Sequence, residues 1–599
     1  MAKDEKTVGG FLLERLREWG VRRVFGYSGD GINGILKALW KASRDGDPPV
    51  EFVQTAHEEL AALMATAHSK YTGEIGVCLA TGGPGAIHLL NGLYDARLDH
   101  RPVLAIVGQQ ATAGLGASAQ QEVDLRVLLH DVARDYVETI VSPEQARHVI
   151  DRAIRIAIAR RTVTAIIIPH DVQEEPVVEE PPHEHGMQHS SPGYSAPRVL
   201  PEDADLRRAA GVLNAGSRVA ILAGAGALDA RAELVATADA LGAGIAKALL
   251  GKAAVPDDLP YVTGTTGWLG TDASNRMLKE CDTLLMVGTT FPYTEFLPEP
   301  GKVRAVQVDL DPGALGIRYP VEVNLVGDAA ETLRALLPLL TRKTERGWRE
   351  KIEGWVEDWR REEARRAHEP ADPVNPQLLA HELSERLPDD AILAGDSGTS
   401  TVWLARHVRM RGRMMVSLSG GLATMGSGVP YALAAKIAHP DRLCVAFAGD
   451  GAMQMNGINA LIDVARRWRE WSDPRLVVIA FNNRDLAYVS WEQRVMDGFP
   501  KFPVTQAVPD LPYASYAELL GLRGVRVERP EDVIPAIEAA LAADRPFVID
   551  AVVDPAVPTL PPELTDEQKK TLDQALKQGD PDEAAVRDHL DRQHVGNAP

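Results

Sequence analysis

Short unbroken apolar runs alternate with amphipathic stretches along most of the chain. Gly76–Ala80, Val103–Val107, Thr164–Pro169, Val219–Ala223, Thr283–Val287, Ala391–Ala394, Leu443–Ala448 and Leu476–Phe481 each carry apolar side chains at successive positions, and Arg23–Gly26 and Val303–Asp309 read the same way. Runs of this length between helical stretches predict strands buried on both faces, hence parallel sheets. The stretch His57–Lys70 places Leu60, Leu63, Met64 and Ala67 on one face and predicts a helix. Two stretches break the rhythm. Gln173–Pro201 is rich in Glu, Pro and His, and Arg342–Pro370 is polar and charged but carries Trp348, Trp355 and Trp359, which predicts a helix. The expected class is α/β, with three open, mainly parallel-sheet domains. Their boundaries are 1–180, 201–342 and 371–555, joined by a linker at 181–200 and a connecting helix at 343–370 and followed by a tail at 556–599.

The length of 599 residues suits several domains, and 45% hydrophobic with 25% charged residues is ordinary globular usage. With 64 Lys+Arg against 84 Asp+Glu the net charge is −20, which argues against binding nucleic-acid backbones. Cys78, Cys281 and Cys444 lie far apart without metal-site spacing. The N-terminus lacks a signal-peptide core and no apolar run spans a bilayer, so a cytoplasmic protein is expected. The tail, Leu564–Leu590, is acidic and reads as poorly amphipathic, without the basic and bulky apolar faces of an interfacial helix, so membrane association is not expected; a lid or a subunit contact is. His183, His185 and His189 read as part of a solvated linker.

The most informative stretch is LCVAFAGDGAMQMNG from Leu443. A strand runs into Gly449-Asp450-Gly451, then a helix starts, and Gly449, Asp450, Gly451 and Ala452 are candidate cofactor contacts. Glycines there admit a phosphate to backbone N–H groups and the helix start adds a positive dipole end. Asp450 can hold Mg²⁺, an ion that prefers oxygen ligands shared with phosphates. A second strand ends in Phe481-Asn482-Asn483-Arg484-Asp485, where an asparagine side chain and a loop carbonyl would complete the oxygen set. The turn Gly395–Ser400, with Gly398, Thr399 and Ser400, suits diphosphate contacts. In the middle segment the turn after Val219–Ala223, with Gly224 and Gly226, is a nucleotide signal that is weak alone. Asp309, at the end of a strand, could bond ribose hydroxyls.

A GDG turn followed by a strand-terminal Asn-Asn resembles the signature of thiamine-diphosphate enzymes. The resemblance covers about residues 5–555 and lies closest to bacterial pyruvate oxidases of the quinone-dependent type. It implies that Asp450, the Asn483 side chain and the Asp485 carbonyl bind Mg²⁺. It also implies that Met425, in Gly420–Pro430, wedges under the cofactor. The interval between GDG and Asn-Asn is longer than usual, and the extra residues, Arg467–Pro474, read as a polar surface loop. The first segment resembles the pyrimidine-binding domain, through His57-Glu58-Glu59, Thr81–Gly85 with Pro84, and Asn91–Pro102 with Asn91. Glu58 would bond N1′ of the aminopyrimidine and favour its imino form, a task that requires a carboxyl shielded from water. Glu59 reads as structural. Glu58 and Asp450 would serve one cofactor from different chains, so a homodimer is the minimum active unit and a homotetramer is compatible.

The middle segment resembles the FAD domain of the pyruvate oxidase and acetolactate synthase group. This implies cofactor contacts at Gly224, Gly226, Thr265, Gly288, Thr289, Asp309 and Asp328. In the loop Leu486–Arg494, Tyr488, Val489 and Glu492 take the places that face the reacting carbon in pyruvate oxidases, while Trp491 stands one position off the Gln-Trp pair of acetolactate synthases. Gln121 matches a Phe-Gln-Glu substrate motif in which Gln120 replaces the Phe, and His88 either faces the same region, as in some relatives, or is a packed core histidine. The expected reaction is decarboxylation of pyruvate or a related 2-oxo acid with electron transfer to FAD. An acetolactate synthase-like carboligase and a catalytically dead nucleotide-binding regulator are the alternatives.

Overall fold

The computed structural model describes residues 6–44 and 50–593. Three six-stranded parallel sheets organise the chain. The first consists of β1 (Arg23–Gly26), β2 (Glu51–Gln54), β3 (Gly76–Ala80), β4 (Val103–Gln109), β5 (Val137–Thr139) and β6 (Val163–Pro169), in the order β2-β1-β3-β4-β6-β5. The second consists of β7 (Val219–Ala223), β8 (Gly244–Lys247), β9 (Val262–Thr265), β10 (Thr283–Val287), β11 (Arg304–Asp309) and β12 (Val323–Val326), in the order β12-β11-β10-β7-β8-β9. The third consists of β13 (Ile392–Gly395), β14 (Met415–Ser417), β15 (Cys444–Gly449), β16 (Leu476–Asn482), β17 (Arg523–Val527) and β18 (Phe547–Val552), in the order β14-β13-β15-β16-β18-β17.

The apolar runs predicted as strands are all strands, with ends shifted by a residue or two. β3, β4, β6, β7, β10 and β16 are buried at every position, as strands covered on both faces must be. β2, β5, β12 and β17 carry charged or exposed positions and give no such run.

The chain divides into two compact units, one of residues 1–196, 417–446 and 452–476, the other of 197–416, 447–451 and 477–599. In the first unit the extra residues after the GDG turn are not a plain surface loop. The helix Ile458–Arg467 runs on into a 3₁₀ turn, Trp468–Glu470, and Trp471 is buried with the Lys436 ammonium 5.7 Å from its ring. Arg467 pairs with Glu51. A tryptophan supplies enough apolar area to pull an otherwise polar stretch inward.

In the second unit the helix Gly347–Ala367 is more than a connection. Ile352, Trp355 and Val356 belong to the core of the middle sheet, and Trp348 Nε1 donates to the Val219 carbonyl at 3.0 Å. Gly244 makes that approach possible, since a Cβ there would stand 3.0 Å from two Ile352 carbons. The tail also departs from its reading as poorly amphipathic. It forms helices Asp566–Lys577 and Glu583–Arg592, and Leu572, Leu576 and Val586 pack with Leu560, Leu564, Trp491 and Val495. Polar residues between them masked the apolar spacing. No helix among the described residues is long and apolar enough to cross a membrane.

The tail is locked by charge. The Arg494 guanidinium, 1% exposed, meets Asp580 in two 2.8 Å bonds, and Asp582 lies at 3.0 Å. Arg494→Ala would leave Asp580 buried without its cation, which costs about 3–5 kcal/mol. The expected outcome is faster amide hydrogen exchange and proteolytic cleavage confined to about residues 566–592. Unchanged protection there would refute the lock.

Candidate functional site

In the first unit β2 leads through Thr55 and Ala56 to the helix Glu58–Thr72. His57 caps this helix, its Nδ1 accepting from Glu59 N at 3.1 Å. The approach is braced. Thr55 Oγ1 donates to the His57 carbonyl at 2.9 Å, and Ala56 N donates to Asp463 Oδ2 at 2.8 Å. Asp463 is pushed up to about 6 by burial. Glu58 therefore stands in the first turn, 9% exposed, where the helix dipole favours a carboxylate. Its Oε2 lies 3.0 Å from His88 Nδ1, and the His57 and His88 rings are 4.5 Å apart. Gly85 keeps the carboxylate open, since a Cβ there would reach Glu58 Oε1 at 3.4 Å.

Pro84 starts the helix Pro84–Leu98 after Gly83 at φ 59°. Gln121, at φ 64°, is held against Gly83, so the loop of Gln120 and Gln121 comes to the same helix start as Gly85. A non-glycine residue in this region costs of order 1–3 kcal/mol. Glu59 has the structural task expected of it, its Oε1 accepting from Asn91 Nδ2 at 2.7 Å and Asn456 Nδ2 at 3.0 Å. Asn91, expected among the cofactor contacts, gives its amide to Glu59 and to Thr424 Oγ1 at 2.9 Å. Met425 follows directly and is half-buried.

In the second unit β15 ends at Gly449 and β16 at Asn482, which brings Asp450 to the Asn483 turn. Asp450, 3% exposed, accepts from Gly451 N at 2.7 Å and Arg484 N at 2.5 Å. Burial pushes its carboxyl up to about 7 against the pull of these donors. Asn483 Oδ1 accepts from Asp485 N at 3.0 Å. The Asp485 carboxylate is taken by Ser490 at 3.0 Å and Lys501 at 3.0 Å. Asn482 is a brace, bonded to Asp510 and Asp550 at 2.9 and 3.0 Å. The phosphate end fits an anion. Gly398 is left-handed at φ 108° at the start of the helix Thr399–His407, and no atom lies within 4 Å of a Cβ built there or at Gly449. Ser400 Oγ is buried without a hydrogen-bond partner. An orphaned hydroxyl at a helix N-terminus beside open glycines is what a phosphate oxygen would satisfy.

The middle-domain residues all have local tasks. Gly226 N donates to the Gly288 carbonyl at 3.0 Å, and a Cβ at Gly224 would stand 2.3 Å from that oxygen, so the packing of two turns already requires these glycines. Thr265 Oγ1 donates to the Leu269 carbonyl and Thr289 Oγ1 accepts from Phe291 N. Asp309 accepts from Asp311 N and Asp328 caps the helix Ala329–Leu336. Beside them Trp268, Phe291, Tyr293 and Phe296 form edge-on aromatic pairs. Tyr293 is raised by burial and by the Glu295 and Glu492 charges, and Tyr488, on the helix Ala487–Glu492, is pushed up to about 12 by burial and by the Glu492 charge. Glu492 is raised by burial and by Asp497. Val489 is exposed, whereas Trp491 is buried in the tail core and donates to the Pro555 carbonyl at 3.3 Å.

Sequence reading missed Arg406, Asp463, Asn456 and Lys501. Arg406 donates to the carbonyls of Trp268, Gly270 and Leu560, and burial lowers it to about 9. Asn456 lies within the quoted stretch from Leu443, but its partner Glu59, like those of the other three, is far away in sequence and gives no local signal. His183 and His189 lie 6.1 Å apart in an irregular stretch.

Three family models match the chain. They describe the thiamine pyrophosphate enzyme N-terminal TPP-binding domain over residues 6–128, the central domain over 206–336 and the C-terminal TPP-binding domain over 396–551. A Bacillus subtilis protein, YdaP, provisionally named as thiamine pyrophosphate-containing, is 37% identical over 94% of both chains. Pyruvate oxidase of Lactiplantibacillus plantarum is 31% identical over 91% of this chain and 88% of its own. The large subunit of Escherichia coli acetolactate synthase isozyme 2 is 30% identical over 91% of this chain and 95% of its own. With three domain models in chain order and similarity end to end, this chain belongs to the thiamine pyrophosphate enzyme family.

Proposed function

We propose that the chain is a thiamine-diphosphate- and Mg²⁺-dependent oxidase that decarboxylates pyruvate or a closely related 2-oxo acid and passes the electrons to FAD. The observation that carries this reading is the Arg406 guanidinium, which donates to the Trp268 carbonyl of the middle domain and to the carbonyl of Leu560, a residue packed in one core with Trp491 of the loop 486–494. A flavin held by the middle domain and a substrate held by the loop 486–494 would be neighbours there, as electron transfer requires. The similarity to a pyruvate oxidase supports the same choice. Burial of Trp491 away from the loop's exposed face also weighs against the carboligase. The similarity to acetolactate synthases keeps carboligation as the second reading.

When bound, thiamine diphosphate supplies the electron sink for decarboxylation. In this reading Asp450, Asn483 and the Asp485 backbone hold Mg²⁺, while Gly398, Thr399, Ser400 and the Gly449–Ala452 turn take the diphosphate. Glu58 bonds the pyrimidine ring and His88 holds its carboxylate in place. Gln121, Tyr488, Val489 and Glu492 line the reacting carbon. The active unit is a homodimer or homotetramer, Glu58 of one copy and Asp450 of another serving one cofactor.

The purified protein is expected to show a flavin band that pyruvate bleaches without oxygen. Glu58→Gln should slow bleaching about 10²–10⁴-fold, the range for removing a proton-transfer group. Absence of the band would sink the oxidase reading, and an acetoin colour after acid treatment would favour the carboligase.

Metal binding should depend on pH. Asp450 keeps its proton to about 7 in the fold, against roughly 3.9 in an unfolded chain. The raised value means the apoprotein loses stability as pH rises from about 4 to 7. Mg²⁺ must displace that proton, so its calorimetric affinity should rise up to about tenfold per pH unit and level off above about 7. Asp450→Asn should remove both the binding and its pH dependence.

A further inference from the structure

The helix that carries Glu58 in its first turn carries Lys70 in its last. The Lys70 side chain is 2% exposed. Its Nζ donates to Asp99 Oδ2 at 2.5 Å and to the Leu418 carbonyl at 2.7 Å, and stands 4.8 Å from the centroid of the Tyr431 ring. Asp99, 1% exposed at its side chain, caps the C-terminus of the helix Pro84–Leu98. That is the wrong end of the helix dipole for a carboxylate, and burial adds to the cost. Besides Lys70, two backbone donors offset it. Gly421 N gives to Oδ1 at 2.6 Å and Gly420 N to Oδ2 at 3.0 Å.

The neighbouring residues hold the same segment. Asp95 accepts from the Tyr431 hydroxyl and from the Ser419 side chain. Tyr71 OH donates to the Ser417 carbonyl at 3.3 Å, and Asn91 reaches Thr424. Gly421 lies so close that a Cβ would stand 2.8 Å from Leu98 Cβ. Residues 417–421 and 424 are thus each held by one of two helices, up to the residue before Met425.

We propose that Lys70 and Asp99, with Asp95 and Asn91, are positioning residues that set the segment 417–424 and thereby the placement of Met425 against the cofactor. The inference rests on the thiamine-diphosphate reading of Met425. Asp99→Asn keeps the shape but removes the charge that the ammonium and the two N–H groups share.

The test is calorimetric affinity for thiamine diphosphate with Mg²⁺, in the full-length protein and in Asp99→Asn, Met425→Ala and the double variant. Asp99→Asn should weaken binding about 10–100-fold, corresponding to roughly 1.4 kcal/mol per tenfold. In the Met425→Ala background the same change should cost less than about threefold, because the residue through which it acts is gone; a general loss of stability would penalise both backgrounds alike. If Asp99→Asn does not fold, Lys70→Gln takes its place in the cycle. Unchanged affinity in these variants, or fully additive losses, would overturn the positioning role and leave the parent reading standing. Failure of the unaltered protein to bind the cofactor would instead overturn the parent reading.

Discussion

Taking a carboxylate out of water costs several kcal/mol unless cations or N–H donors replace its hydration, and this constraint shapes every part of the protein tied to its chemistry. Glu58 sits at a helix start, where the dipole and His88 meet it. Asp450 sits at the end of a buried strand, and two backbone N–H groups are not enough to hold its carboxyl in the ordinary range. Its remaining deficit is what an Mg²⁺ ion would relieve. Asp99 is fully paired, by an ammonium and two glycine N–H groups. The pattern separates carboxylates satisfied by the protein itself from those, Asp450 and Asp463 among them, that burial leaves raised.

The sheets create these positions. A parallel strand buried on both faces must end where its polar groups find partners, and in this chain the ends carry Gly-rich turns. Some of the turns are closed by their own packing. Gly224, Gly226 and Gly288 meet backbone to backbone, so their glycines have a structural reason independent of any nucleotide. Others are open, as at Gly398 and Gly449, where nothing fills the place of a side chain and a serine hydroxyl lacks a partner. A glycine-rich turn in sequence does not distinguish the two cases.

The tail follows the same logic. Arg494, the last residue of the loop 486–494, pairs with Asp580 and Asp582, and Lys501 beyond it pairs with Asp582, both aspartates lying in the turn between the helices Asp566–Lys577 and Glu583–Arg592. Lys501 also meets Asp485, so one lysine joins the tail to the turn after β16. The loop that carries Tyr488 and Glu492 is therefore anchored from outside its own domain's sheet.

The sequence by itself determined the three-sheet α/β architecture, because continuous apolar runs have one stable environment, a strand covered on both faces. It also determined the pairing of Gly449-Asp450-Gly451 with Asn482-Asn483, since both sit at ends of strands whose apolar cores are unmistakable. Only the tertiary structure decided which polar groups are satisfied. Asp463, Asn456, Lys70 and Asp99 act on segments tens to hundreds of residues away. Local spacing holds no trace of such pairings, which arise from the packing of helices onto sheets. The same holds for the tail and for the helix Gly347–Ala367, whose polar composition concealed apolar faces that acquire meaning only against the surfaces they cover.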